Sequence, residues 1–314
     1  MFNQIYTILT TTNPNLFFLR WVLILALVII LVLITNYYTP THTGEGFIQT
    51  EPYIYKQGSV AIDAFYVDIY DSLHSTIERS QQELIKIVEM TDPSTQHSTI
   101  LDVGCGTGYV VNELTDAGYD VYGIDKSKDM LTYAQTTYPD AEFVHGDIMN
   151  SMQFEKSTFT HILCTYFTIY QFDDKPMFFR NCYHWMKPNT YLVLHLVDTD
   201  KFTNMIPHEQ AYNEEKITEN KRIITSNAIF SDYKYKCSCD IPKENDSIRT
   251  EVKETFIDME SDHVRQNEFH LYMEKISTIL DIAKQNGFIQ HGKASMKGCN
   301  GDENQYLYIM ERPL

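Results

Sequence analysis

Nine consecutive residues, Ile100-Leu101-Asp102-Val103-Gly104-Cys105-Gly106-Thr107-Gly108, join an apolar run to an acid and three alternate glycines. The apolar part reads as a buried strand, and glycines directly after it let backbone approach a ligand or take dihedral angles closed to other residues. A second acid, Asp125, closes the next apolar run, Asp120 to Ile124. An acid there accepts hydrogen bonds from ribose hydroxyls in nucleotide-binding α/β sheets. The chemistry implied is binding of a nucleoside-bearing small molecule. The alternative for such a turn is a nicotinamide dinucleotide domain, whose glycines are spaced G-x-G-x-x-G. Here the spacing is G-x-G-x-G, and neither Asp102 nor the Gly146-Asp147 pair belongs to that fingerprint.

Taken in order, these segments resemble the class I S-adenosylmethionine-dependent methyltransferases, from about Phe65 to Met310. The first motif of that family matches Asp102 to Gly108, the ribose acid matches Asp125 in Tyr122-Gly123-Ile124-Asp125, and the acid at the adenine edge matches Asp147 in Gly146-Asp147-Ile148. The end of the fourth strand matches Cys164-Thr165-Tyr166, and the turn before the fifth matches Lys187-Pro188-Asn189. Phe65 to Asp71 resembles a helix whose aromatic residues close over the cofactor in small-molecule members. The resemblance implies S-adenosylmethionine as cofactor. It also implies contacts from Tyr66, Tyr70, Asp102, Gly104, Cys105, Gly106, Thr107, Gly108, Asp125, Lys126, Met130, Asp147, Ile148 and Thr165.

Methyl transfer from a sulfonium is an in-line displacement from an already activated donor, so the enzyme mainly orients sulfur, methyl and nucleophile. A general base is needed only when the acceptor must first lose a proton, and none can be named from the sequence. Ligands of open α/β sheets sit beyond the carboxyl ends of the strands, which makes Tyr166, Tyr170 and Asp198 the acceptor-side candidates. His195, inside the fifth strand, reads as a satisfied core histidine. Methyltransferases of nucleobase amino groups carry Asn/Asp-Pro-Pro-aromatic after strand four, whereas this chain has Thr165-Tyr166-Phe167-Thr168. With a net charge of -17, that disfavours a nucleic-acid acceptor. A small molecule or a lipid is expected, with a protein acceptor or a non-catalytic membrane scaffold as alternatives. No metal is expected: Cys237, Cys239 and Cys299 match no zinc spacing, and Cys237 and Cys239 fit one face of a strand. All six cysteines read as reduced thiols in a chain of 314 residues, too large to need staples.

The elements that must position these residues follow the pattern of a doubly wound, mostly parallel seven-stranded sheet. Strands are expected at Thr99 to Val103, Asp120 to Ile124, Phe143 to Val144, Phe159 to Thr165 and Tyr191 to Val197. Amphipathic helices separate them, and two more helices precede them between Ala61 and Glu89. From about Lys221 to Tyr272 the alternation is that of antiparallel strands, as in Val252, Glu254 and Phe256, so residues of about 201–272 read as a cap insertion. A helix over Lys275 to Gln285 and two strands, Phe288 to Lys293 and Gln305 to Met310, complete the methyltransferase domain of 61–314.

Ahead of that domain lie a tail, 1–15, a segment of 16–36 and a linker, 37–60. Leu16 to Ile34 is apolar apart from Arg20 and spans about 19 residues, close to the length that crosses a bilayer as a helix. Trp21 and Tyr37-Tyr38 stand near its ends, where aromatic rings favour the interface. A single transmembrane helix is therefore expected. A cleaved signal peptide is the competing reading, against which no small-x-small site follows Ile34. Arg20 alone would put the amino terminus inside, whereas a cosubstrate made in the cytosol and free thiols favour a catalytic domain on the cytosolic side. Oligomeric state is not legible.

Overall fold

The computed structural model describes residues 49–207, 211–243 and 248–314, together with 20–22, 24–26 and 28 of the amino-terminal segment. Two units separate by compactness, 1–46 and 47–314. In the first, the described residues are helical. The tail of 1–15, most of the expected transmembrane segment of 16–36 and the first part of the linker lie outside the described residues. Among the described residues no helix is long and apolar enough to cross a membrane, so the expected spanning helix finds no support there.

In the second unit, strand β1 (Tyr53–Gln57) comes first, then helices α1 (Ala64–Leu73) and α2 (Thr76–Thr91). The alternating region follows as β2 (Thr99–Val103), α3 (Tyr109–Asp116), β3 (Asp120–Asp125), α4 (Lys128–Thr137), β4 (Glu142–His145), β5 (Phe159–Cys164), α5 (Lys175–Trp185) and β6 (Met186–Val197). Five further strands, β7 (Tyr212–Ile217), β8 (Lys221–Ile229), β9 (Tyr233–Pro242), β10 (Arg249–Asp258) and β11 (Val264–Tyr272), belong to the cap, which β1 completes. The chain ends with α6 (Ile276–Gln285), β12 (Ile289–Ser295), a single helical turn at Lys297–Asn300 and β13 (Gln305–Arg312).

The principal sheet has the order β12-β13-β6-β5-β2-β3-β4. Five strands are parallel, and β13 runs antiparallel between β6 and β12. Residues buried on both faces explain why its strands read as continuous apolar runs. On one face Leu101, Ile162, Leu192 and Leu194 pack with Phe178 and Trp185 of α5 and Ile279 of α6. On the other, Ile100, Leu163 and Val193 pack with Ile87 of α2 and Val111 and Leu114 of α3. Helices thus cover both sides, as expected for a doubly wound sheet. The chain order reverses between β2 and β5, the position where such sheets open a ligand crevice.

The cap is a second sheet, β1-β11-β10-β9-β8-β7, antiparallel except where β1 pairs parallel with β11. Here the linker expectation of 37–60 needs correction. Residues 53–57 form an edge strand of the cap, in register from Tyr53 opposite Val264 to Gln57 opposite Glu268. The strand escaped notice because Pro52 and Gly58 bracket five mostly polar or aromatic residues, a pattern that only a waiting sheet edge organises. Inward-facing residues of β10, among them Val252, Glu254 and Phe256, alternate with partly exposed ones, as a half-buried sheet requires.

Candidate active site

The turn after β2 is fastened to the end of β3. Gly104 and Cys105 both donate their N–H groups to the Ile124 carbonyl, at 2.8 and 3.2 Å. Gly104 has φ +69°, and a Cβ there would lie 2.7 Å from the Thr168 side chain, so only glycine fits. Gly106 also lies in the left-handed region, at φ +53°, yet a Cβ there would meet nothing nearer than Tyr70, 3.9 Å away. Its bare backbone faces space. The Gly106 N–H donates to Asp125 Oδ2 at 3.0 Å, and the Ser127 N–H donates to Oδ1 at 2.8 Å. Asp125 is thereby locked at the mouth of β3. Burial raises its pKa, against the pull of those backbone donors.

A cavity of ≈ 710 Å³ opens above this turn. Of the residues expected at a cofactor, Tyr66, Tyr70, Gly104, Gly106, Asp125, Lys126, Met130, Asp147 and Ile148 line it. Asp102, Cys105, Thr107 and Thr165 instead border a small pocket beneath the turn, and Gly108 precedes α3 away from both. Thr107 is tied to α1, donating its hydroxyl to Asp71 at 2.7 Å. Burial and the neighbouring Asp125 charge push Asp102 up to about 8, despite nearby Arg79. Arg79 itself donates from Nη1 to both carboxylate oxygens of Glu83, at 2.9 and 3.0 Å, and lies 3.8 Å above the Tyr166 ring.

Of the three acceptor-side candidates only Tyr166 reaches the cavity. Its hydroxyl lies 2.8 Å from His74 Nδ1 and donates to the Met205 carbonyl at 3.1 Å. Tyr170 does not line it: the side chain is fully buried and its hydroxyl accepts the Val197 N–H at 2.9 Å. Asp198 is also elsewhere, its N–H bonded to the Asn304 carbonyl and its Oδ1 accepting from the Asp200 N–H. Both follow strand ends, but the 3₁₀ turn Thr168–Gln171 rotates Tyr170 into the core, and Asp198 organises its own loop. His195 is buried between the Phe167 N–H at 3.1 Å and Gln305 Oε1 at 3.0 Å, and burial lowers its pKa to about 3.

The opposite wall comes from the cap and was not anticipated residue by residue. Glu254 of β10 faces the cavity with Tyr235 and Cys237 of β9, Phe269 of β11, Tyr66 of α1 and His74. Tyr235 and Tyr66 both donate their hydroxyls to Glu254 Oε1, at 2.6 and 3.2 Å. Oε2 is buried without a hydrogen-bond partner. Burial pushes this carboxyl up to about 7, opposed by Tyr235, Asn267 and Tyr66 and by the Arg265 charge. Burial, reinforced by Arg79, lowers His74 to about 3, so it is neutral. One signal was present in the sequence: a carboxylate occupies an inward position in the Val252, Glu254, Phe256 alternation. Cys237 and Cys239 are buried on one face of β9. All six cysteines are free thiols, and among the described residues no group of three or more His, Cys, Asp or Glu could hold a metal ion.

The strand order, the fastened glycine turn and the acid closing β3 together have the form of the class I S-adenosylmethionine-dependent methyltransferase fold. Residues 100–189 match the family model of a methyltransferase domain. Over 142 residues the chain is 26% identical to malonyl-[acyl-carrier protein] O-methyltransferase of Halalkalibacterium halodurans, covering 43% of this chain and 52% of that protein. Over 85 residues it is 34% identical to dTDP-3-amino-3,6-dideoxy-alpha-D-glucopyranose N,N-dimethyltransferase of Streptomyces fradiae, covering 26% and 32%. The chain thus spans about half, or less, of the length of these relatives. The crystal structure of an S-adenosylmethionine-dependent methyltransferase from Clostridium acetobutylicum superposes with a TM-score of 0.55 at 15% identity, over 79% of this chain and 98% of that one. That likeness is one of fold.

Proposed function

We propose that this protein transfers a methyl group from S-adenosylmethionine to a small-molecule acceptor held between the principal sheet and the cap. The observation that carries the reading is the single cavity joining Gly106 and Asp125 to the aromatic cap wall. Its ≈ 710 Å³ falls in the usual range of small-ligand sites, about 300–1,000 Å³. The residues fit the donor. Open backbone at Gly106 admits a ligand against the turn, and Asp125 is held to accept from ribose hydroxyls. Lys126, Met130, Asp147 and Ile148 border the space beside it, and Tyr70 stands over the turn.

When bound, S-adenosylmethionine supplies an activated methyl group. The protein's contribution is then orientation and exclusion of water, which hold acceptor and donor in line. Tyr66, Tyr166 and Phe269 form an apolar enclosure suited to that task. The two named relatives are named for a malonyl group on an acyl-carrier protein and for a dTDP-linked amino sugar, which supports a small acceptor group over a nucleic acid. The direct test is transfer of labelled methyl to metabolite and lipid fractions. Incorporation above a boiled control is expected, and cofactor binding without transfer to any fraction would favour a scaffold.

The apolar run of Leu16 to Ile34 supports a further proposal, that the protein is held at a membrane with its catalytic domain on the cytosolic side and that lipids are among its accessible acceptors. Removal of residues 1–40 should move the protein from the carbonate-resistant membrane fraction to the soluble fraction with cofactor binding retained. A full-length chain that washes off would refute the anchor.

A further inference from the structure

The cap wall contains a carboxyl with one oxygen unmatched. Glu254 is buried, 3% exposed, and both of its hydroxyl donors converge on Oε1. Oε2 has no hydrogen-bond partner. The basic group that acts on it, Arg265, is committed elsewhere: its guanidinium bonds Asp63 at 2.9 and 3.0 Å, the Ala61 carbonyl and Asn267. The other neighbours bring no positive charge: Tyr66, Tyr235 and the Asn267 amide are neutral donors, burial keeps His74 neutral and raises the Cys237 thiol, and Asn267 Nδ2 is, like Oε2, without a hydrogen-bond partner at normal length. A buried carboxylate in this state lacks a counter-charge, and one of its two oxygens lacks the donor that such groups normally have.

Its surroundings specify what would complete it. Aromatic faces attract cations, and Tyr66, Tyr235 and Phe269 stand at the same wall. The wall is continuous with the cofactor turn: Tyr70 lies 3.9 Å from the Cβ position of Gly106, and the rings of Tyr70 and Tyr66 are 5.9 Å apart. Tyr66 then reaches Glu254 through its hydroxyl.

Resting on the methyltransferase reading above, we infer that Glu254 is the acceptor-binding carboxylate and that the methyl acceptor is an amine, whose ammonium form pairs with Oε2 inside the aromatic wall. Oε2 takes a proton from the ammonium, giving a neutral nitrogen with a free electron pair and a carboxylic acid. The nitrogen–carbon bond forms as the carbon–sulfur bond of the donor breaks, leaving a methylammonium and S-adenosylhomocysteine. A carboxyl titrating near neutrality suits that exchange, because bases work best with a pKa near the working pH.

The test uses the full chain with tyramine, benzylamine and glucosamine, each beside its hydroxyl counterpart, tyrosol, benzyl alcohol and glucose. At least one amine should be methylated, and no alcohol. Glu254→Gln, which keeps the shape and an acceptor for the two tyrosines, should lower kcat/KM for that amine at least 100-fold. It should also abolish calorimetric binding of the amine to protein saturated with S-adenosylhomocysteine, while the cofactor dissociation constant changes less than twofold. Glu254→Asp should recover part of the amine binding. Methylation of alcohols but not amines, no amine methylated by protein that binds the cofactor, or a Glu254→Gln variant within threefold of the parent would each overturn the inference. Failure to bind the cofactor at all would instead strike the methyltransferase reading.

Discussion

The two walls of the cavity are built in opposite ways. The cofactor wall is local: Asp102 to Gly108 and Asp125 lie within 25 residues of each other, and main-chain bonds from the turn to Ile124 and Asp125 hold them. The cap wall brings Tyr66 and His74 together with Tyr235, Glu254 and Phe269, residues up to about 200 positions apart that meet only through folded strands. Backbone shapes the first wall and side chains shape the second. A change of glycine should therefore damage the first, whereas a change of side-chain charge should act on the second without disturbing the fold.

The largest effect is expected at Gly104. Gly104→Ala forces a Cβ into the left-handed region and to 2.7 Å from Thr168. Strain and overpacking together should cost about 2–4 kcal/mol of stability, read from denaturant unfolding. A loss below about 0.5 kcal/mol would show that the turn relaxes and that the contrast between the walls is overstated.

A smaller effect of opposite sign is expected at Glu254. Its carboxyl is raised from 4.5 to about 7 in the fold, so between those values the unfolded chain ionises and the folded chain holds the proton. Stability is consequently lost as pH rises from about 4.5 to about 7, and the loss is constant above that. Glu254→Gln should abolish this dependence and stabilise the protein by about 1–3 kcal/mol at pH 8, with little change at pH 4. Thermal unfolding at the two pH values measures it. Equal shifts at both would show that the carboxyl is not desolvated in the folded state. The groups facing it, Tyr66, His74, Tyr235, Cys237 and Arg265, either hold a fixed charge state over that range or sit in unchanged pairs.

The same contrast explains what could be read from the residues in advance. The parallel strands, their helices and the glycine turn were legible because each is a contiguous pattern with its own period. Asp125 was legible because it ends a strand one helix after the turn. Tyr170 and Asp198 misled, since a position after a strand end does not say which way a 3₁₀ turn or a loop points a side chain. Strand β1 was missed because its order comes from pairing with β11, more than 200 residues later. Glu254 is legible only as one position of an alternating strand, and its single signal is a carboxylate at an inward position between Val252 and Phe256. Its role depends on Tyr66 and Tyr235, which no local pattern connects to it.

Calorimetric titration of S-adenosylmethionine into the parent and Asp125→Ala tests the shared premise most directly. The parent should bind in the micromolar range, on the order of -8 kcal/mol. Asp125→Ala should lose roughly 1.5–3 kcal/mol of that, the scale for hydrogen bonds to a charged group. A parent that gives no heat and no thermal shift with the cofactor, or a variant that binds as tightly as the parent, would contradict the placement of the donor against Gly106 and Asp125.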